Sequence, residues 1–159
     1  TLDVNAAMSS LTTIEKMMLL RQVPIFSQVD AADLEELASI VEEQIIHANK
    51  DLFREGEPGD AFYVIASGKV EVSTKGPHGE KLRVGVLGPG SYFGEMAHVK
   101  KGAMPRQATV ETLTESLIAE FRPASMKKLS LNCQLQLSQS LLNTVVDRLA
   151  FADERIAHA

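Results

Sequence analysis

The residues of this chain best suited to chemistry lie within 91–110, SYFGEMAHVKKGAMPRQATV. Gly94 precedes a lone acid, Glu95, and further on a lone arginine, Arg106, stands in Pro105-Arg106-Gln107-Ala108-Thr109-Val110. A guanidinium presents paired donors that match two oxygens of a phosphate, and it keeps its charge at any relevant pH. A carboxylate such as that of Glu95 accepts from a sugar hydroxyl. Gly94 frees the backbone to approach a ligand, and the amides of Glu95, Met96 and Ala97 could point at an anion from the start of a helical turn. Each residue also has an ordinary alternative: a surface ion pair for Arg106, an acid complementing a helix dipole for Glu95, a plain turn for Gly94. Pro105 and the strand start Ala108-Thr109-Val110 favour the first set, because they place Arg106 where a loop enters a sheet. Together these residues read as a site for a phosphorylated sugar.

Other chemistries find less support. His47, His78, His98 and His158 include no His-x-His pair, so no metal site is expected. The single cysteine, Cys133, cannot form an internal disulfide and stands beside a helix start, where a structural role is the default. No serine or cysteine nucleophile has a convincing base partner, so no catalytic residue is assigned and the chain is not expected to be an enzyme. Lys100 and Lys101 read as solvated loop charges. Hydrophobic residues make up 45% of the 159 positions, enough for a packed core, and the net charge of -5 argues against a nucleic-acid surface. No apolar run approaches a membrane span, and the N-terminus lacks a signal-peptide layout, so a reducing, cytoplasmic setting is expected. The start at Thr1 leads us to expect a piece of a longer protein.

The elements that must position the site follow from periodicity. Thr12 and Glu15 read as a capping box for a first helix that Pro24 ends. Leu34, Leu37, Ala38 and Val41 mark one face of a second helix beginning near Asp30. From Gln44 the pattern turns to strands: Phe53, then Phe62 to Ile65, then Val70 and Val72 alternating with Glu71 and Ser73. Gly76-Pro77-His78-Gly79 is a hairpin tip, Leu82, Val84 and Val86 alternate again, and Leu117 to Phe121 is a further strand. Pro123 opens a short helix, and Asn132 is the expected cap of a last one carrying Leu142, Val145, Val146, Leu149 and Ile156 at helical spacing. The expected fold is mainly β with flanking helices: helices over 1–43, an antiparallel, jelly-roll-like β-roll over 44–122, and helices over 123–159, together one domain.

Phe93-Gly94-Glu95-Met96-Ala97 followed by Pro105-Arg106-x-Ala108-Thr109-Val110 resembles the phosphate-binding cassette of the cyclic nucleotide-binding domain family. The segment Phe53-x-Glu55-Gly56-x-x-Gly59-Asp60-x-Phe62-Tyr63-Val64-Ile65-x-x-Gly68-Lys69-Val70 is similar to the family's early strands, and the likeness covers roughly 23–148. The resemblance implies that Arg106 pairs with the cyclic phosphate and that Glu95 takes the ribose 2′-hydroxyl. It also implies that amides from Gly94 to Ala97, and near Gln107 and Ala108, cradle the phosphate. Val72, Val86 and Leu87 are expected near the base, with Leu141, Leu142 or Val145 as its lid. Gln107 departs from the pattern: cyclic GMP-preferring relatives often carry a hydroxyl residue there and kinase-type cyclic AMP receptors an alanine. The absent hydroxyl favours cyclic AMP. The loop over 99–104 is about two residues longer than in kinase-type relatives. The resemblance implies a sensor that moves its helices on binding and acts on an effector outside this chain, with a dimer through the last helix as one arrangement. The alternatives are the receptor half of a transcription regulator and a roll that has lost its ligand.

Overall fold

A computed structural model describes residues 12–94 and 105–157 and, within the last helix, the side chains of 131–144, 146, 147 and 150. Helix α1 (Thr13–Arg21) leads through a 3₁₀ turn (Pro24–Phe26) to α2 (Ala31–Ile40). Eight strands follow: β1 (Glu42–Ile46), β2 (Asp51–Phe53), β3 (Phe62–Ser67), β4 (Val70–Lys75), β5 (Lys81–Leu87), β6 (Tyr92–Phe93), β7 (Thr109–Thr112) and β8 (Ser116–Phe121). The short α3 (Pro123–Met126) and the long α4 (Leu131–Ala157) close the chain. The strands pair antiparallel in two four-stranded sheets, ordered β1-β8-β3-β6 and β2-β7-β4-β5. This is the expected β-roll with helices on both sides in sequence.

The inner strands β3 and β8 of the first sheet are covered on both faces, which is why Phe62-Tyr63-Val64-Ile65 and Leu117 to Phe121 read as nearly continuous apolar runs. Phe62, Val64, Tyr92, Ala119 and Phe121 face a core shared with the helices, where they meet Leu20, Phe26, Leu34, Leu37, Leu137 and Leu141. Ile65, Phe93 and Ile118 face a second core, with Val70, Val110 and the half-buried Phe53, Tyr63, Val72 and Leu87. Alternate residues of the same strands therefore serve two cores.

Strand β5 corrects the alternation expected for Leu82, Val84 and Val86. The register slips between Val72 and Ser73, so Val72 faces Gly85 and Ser73 faces Arg83, and Val84 has no partner across the ladder. All three apolar side chains are exposed. The slip brings Lys81 and Arg83 onto the side of Glu71, which is only 4% exposed. Arg83 donates to the Glu71 carboxylate at 2.7 Å, and Lys81 joins it as a second cation. Glu71 thus lies beneath two long side chains, not on an open polar face, and their hydrogen bonds hold its carboxyl below the ordinary range.

The N-cap of α4 is Ser130 and not Asn132: the Cys133 amide donates to the Ser130 hydroxyl at 3.2 Å. Asn132 instead donates to Asp33 on α2 at 3.0 Å. Ser130 is itself held by Glu36 on α2, which accepts from its amide and its hydroxyl, both at 2.8 Å. Gln136 completes the contact by donating to Asp30 at 3.0 Å. Helix α4 is thereby docked on α2 by polar bonds as well as by Cys133, Leu137 and Leu141. The Cys133 thiol is buried and pushed up to about 12 by desolvation, in keeping with its structural role.

Asp33 is buried in this contact, and desolvation lifts its carboxyl above the ordinary value of 3.8, against the lowering effect of Asn132. The protonated form therefore favours the fold; its contribution is complete below that ordinary value and is lost as pH rises through the raised pKa. Asp33→Asn keeps an acceptor for Asn132 and removes the titration. Thermal unfolding as a function of pH is expected to show the variant gaining a few degrees over the parent as pH rises above 3.8. A variant destabilised equally at every pH would contradict this account.

Candidate functional site

Arg106 is positioned by its backbone before its side chain is considered. Its amide donates to the Glu57 carbonyl at 2.8 Å, and its carbonyl accepts from the Gly56 amide at 2.7 Å. Pro58 and Pro105 form a bridge beside this pair, and the Thr109 hydroxyl accepts from the Glu55 amide at 2.9 Å. The segment entering β7 is thus zipped to the turn that follows β2. The sequence between Phe53 and Asp60 supplies that turn, and Gly56 adopts a φ of 88° there.

The Arg106 side chain then enters the roll and is 8% exposed. Its guanidinium carbon lies 4.2 Å from the Phe53 ring centroid and 6.0 Å from that of Tyr63. Nη2 donates to the Ala61 carbonyl at 2.9 Å. Two glycines make the space. A Cβ on Gly59 would fall 2.5 Å from Nε, and one on Gly94, where φ is 80°, would fall 2.9 Å from Nη1. Among the described residues no carboxylate pairs with this guanidinium, and its buried Nε has no acceptor. A buried cation with an unpartnered donor is costly unless something anionic reaches it. The arrangement is chemically suited to receive an oxyanion.

The other expected site residues divide. Gly94 stands against the guanidinium, and Phe93 is packed on Tyr63 and Phe53, with ring centroids at 5.2 and 5.9 Å. The Phe93 ring is thus a core element that fixes where the Gly94 turn begins. Gln107 is exposed, while Ala108 and Thr109 are half-buried. Val72 and Leu87 line the second core, but Val86 faces the opposite side with Glu71 and is 44% exposed. The strand's two-residue period separates it from the other two. Leu141 is committed to the helical core and Leu142 is exposed. Glu95, Met96, Ala97, His98, Lys100 and Lys101 lie outside the described residues, as does the side chain of Val145.

Sequence reasoning missed Phe53, Gly59, Ala61 and Tyr63 as the seat of Arg106. Their signal was present in Phe53-x-Glu55-Gly56-x-x-Gly59-Asp60-x-Phe62-Tyr63, which read only as strand and turn.

A sequence profile described as Cyclic nucleotide-binding domain matches residues 43–132, more than half of the chain. The chain belongs to this family. The cyclic nucleotide-binding domain here is 36% identical over 110 residues to a cAMP-dependent protein kinase regulatory subunit of Yarrowia lipolytica, covering 69% of this chain and 28% of that protein. It is 29% identical over 143 residues to a CRP-like cAMP-activated global transcriptional regulator of Mycobacterium tuberculosis, covering 87% of this chain and 61% of that protein. The chain thus spans less than two thirds of the length of either relative. Among solved structures, it superposes on the N-terminal domain of a transcriptional regulator from Streptomyces coelicolor A3(2) with a TM-score of 0.69 and 30% identity, covering 86% of this chain and 95% of that one. The regulatory domain of Toxoplasma gondii PKA, crystallised with cAMP, gives a TM-score of 0.70 and 26% identity, covering 87% of this chain and 52% of that one.

The two glycines of this cyclic nucleotide-binding domain allow a direct check. Gly59→Ala would place a methyl against the movable end of Arg106, so the fold should survive while the guanidinium shifts. The Arg106 Nε–H proton is expected to move in the NMR spectrum of Gly59→Ala, because ring-current shifts from Phe53 depend on its position. Gly88→Ala, whose methyl would meet nothing within 4 Å, should leave that resonance in place.

Proposed function

We propose that this domain is a sensor that binds a cyclic mononucleotide, with cyclic AMP favoured over cyclic GMP, and passes the event to an effector through its helices. The observation that carries this reading is the buried Arg106 guanidinium, whose Nε has no acceptor among the described residues. A cyclic phosphate offers two exocyclic oxygens to such a fork. Glu95 is proposed to take the ribose 2′-hydroxyl, and the amides from Gly94 to Ala97 and near Gln107 and Ala108 to complete the cradle. Val72 and Leu87, on one face of the roll, are proposed to lie toward the base. The preference for cyclic AMP draws on the absence of a hydroxyl at Gln107. It also draws on relatives described as cAMP-dependent and cAMP-activated.

The module is read as regulatory, not catalytic, in a cytoplasmic setting; no described helix is long and apolar enough to cross a membrane. A ligand shifts a helix only by binding one arrangement more tightly than another. The docking of α4 on α2 through Ser130, Asn132 and Gln136 supplies one of those arrangements.

The same reading assigns a partner to the outer face of α4. Leu131, Leu135, Leu142 and Val146 are exposed along one stripe, distinct from the buried Cys133, Leu137 and Leu141. Their spacing of four, seven and four residues repeats on one side of a helix. A second copy meeting this chain along α4 would cover the stripe.

Calorimetric titration with cyclic AMP and cyclic GMP is expected to show binding of both, with cyclic AMP the tighter. Arg106→Ala should weaken binding by at least about tenfold, or roughly 1.4 kcal/mol. Absence of binding by either nucleotide to the folded parent would overturn the reading. Sedimentation should show a dimer that the paired change Leu135→Glu and Leu142→Glu converts to monomer without loss of helical content. A monomeric parent at all accessible concentrations would remove the second copy as partner.

A further inference from the structure

Arginines buried in proteins are usually held by carboxylates, because an isolated charge is expensive to desolvate. Arg106 is held differently. Among the described residues the Ala61 carbonyl is the only acceptor its guanidinium reaches, and the Phe53 ring lies 4.2 Å from the guanidinium carbon. A planar, weakly hydrated guanidinium stacks well on an aromatic face, and that attraction leaves its edge donors free. A carboxylate in the same place would occupy those donors and would have to be displaced by any incoming phosphate.

The backbone aims Phe53 at this task. The β2–β7 register slips at Leu52: Asp51 faces Glu111 and Phe53 faces Val110. A bulge of this kind re-aims a side chain. The ring is only half-buried, yet it is flanked by Tyr63 and Phe93, each with its centroid 5.9 Å away. These neighbours fix the ring's plane. Gly59 and Gly94 wall the guanidinium on other sides, and Ala61 sets its rotation.

We propose that Phe53 is a positioning residue for the cyclic nucleotide site: its ring face holds the Arg106 guanidinium in the phosphate-receiving position without competing for its donors. This rests on the function proposed above. Phe53 acts through Arg106, so its effect on binding is the same for either base and disappears when the guanidinium is gone.

The test compares Phe53→Leu with Phe53→Tyr in the full chain, each checked for native circular dichroism. Phe53→Leu is expected to weaken cyclic AMP and cyclic GMP binding by the same factor, about threefold to thirtyfold, the range of a cation–aromatic contact. Phe53→Tyr should restore binding. In an Arg106→Lys background, which lacks the planar group, Phe53→Leu should cost much less. Without ligand, the Arg106 Nε–H proton should lose its ring-current shift in Phe53→Leu and keep it in Phe53→Tyr. Losses that differ between the two nucleotides, or that persist undiminished with Arg106→Lys, would mean that the ring touches the base instead, and would overturn the assignment. If the parent binds neither nucleotide, the proposed function fails, and the ligand-free resonance alone decides the role of Phe53: an unchanged shift in Phe53→Leu overturns it.

Discussion

Seating one guanidinium inside a β-roll is the constraint on which the rest of this structure turns. A charge taken from water must be compensated, and here the compensation comes from an aromatic face and a single carbonyl. Neither is formed locally. Phe53 ends β2, Ala61 precedes β3, Gly94 follows β6, and Arg106 precedes β7. Two connections far apart in the chain, β2–β3 and β6–β7, must converge before the cation has a seat. The ribbon of hydrogen bonds between residues 55–57 and 106–109 joins them at one end, and the pairing of β3 with β6 joins them at the other. The sheet topology is in this sense a device for closing space around one side chain.

The two cores explain how such a site is joined to the helices that pack on the roll. Strands β3, β6 and β8 contribute one residue to each core in turn: Tyr63 and Phe62, Phe93 and Tyr92, Ile118 and Ala119. The site borders one core and the helices complete the other. Phe62 stacks on Phe121 at 4.7 Å, and Phe121 in turn meets Phe26 at 5.6 Å. Close-packed interiors accommodate little independent movement. A shift of Phe93 and Gly94 is therefore felt on the far side of the same two-residue strand.

Much of this was legible from the residues. Antiparallel strands, the hairpin at Gly76–Gly79, the proline at the start of α3 and the place of Arg106 where a loop enters a sheet all followed from local rules of turn chemistry and alternation. What escaped was set by pairing between distant strands. Nothing in Val70-Glu71-Val72-Ser73 or in Leu82-Arg83-Val84 announces a register slip, yet that slip lays Lys81 and Arg83 over Glu71 and buries it. The cap of α4 was misplaced for a related reason. Asn132 and Ser130 are both good caps in isolation, and Glu36, far away in sequence, decides between them. The seat of Arg106 was hidden because a phenylalanine beside a glycine-rich turn looks like any other strand residue until the arginine is laid across it.

The match to the family ends at Asn132 and begins at residue 43, whereas the helical core draws on Leu20, Phe26, Leu34 and Leu37 before it and on Leu137 and Leu141 after it. The stretch that the family profile recognises is thus smaller than the stretch that is physically whole. A graft of this domain into another protein, cut at the borders of the recognisable part, would leave Phe62, Val64 and Phe121 facing water along one side of a sheet. The host would have to furnish helices to cover them. A module cut to its roll alone would therefore not be physically whole without its flanking helices.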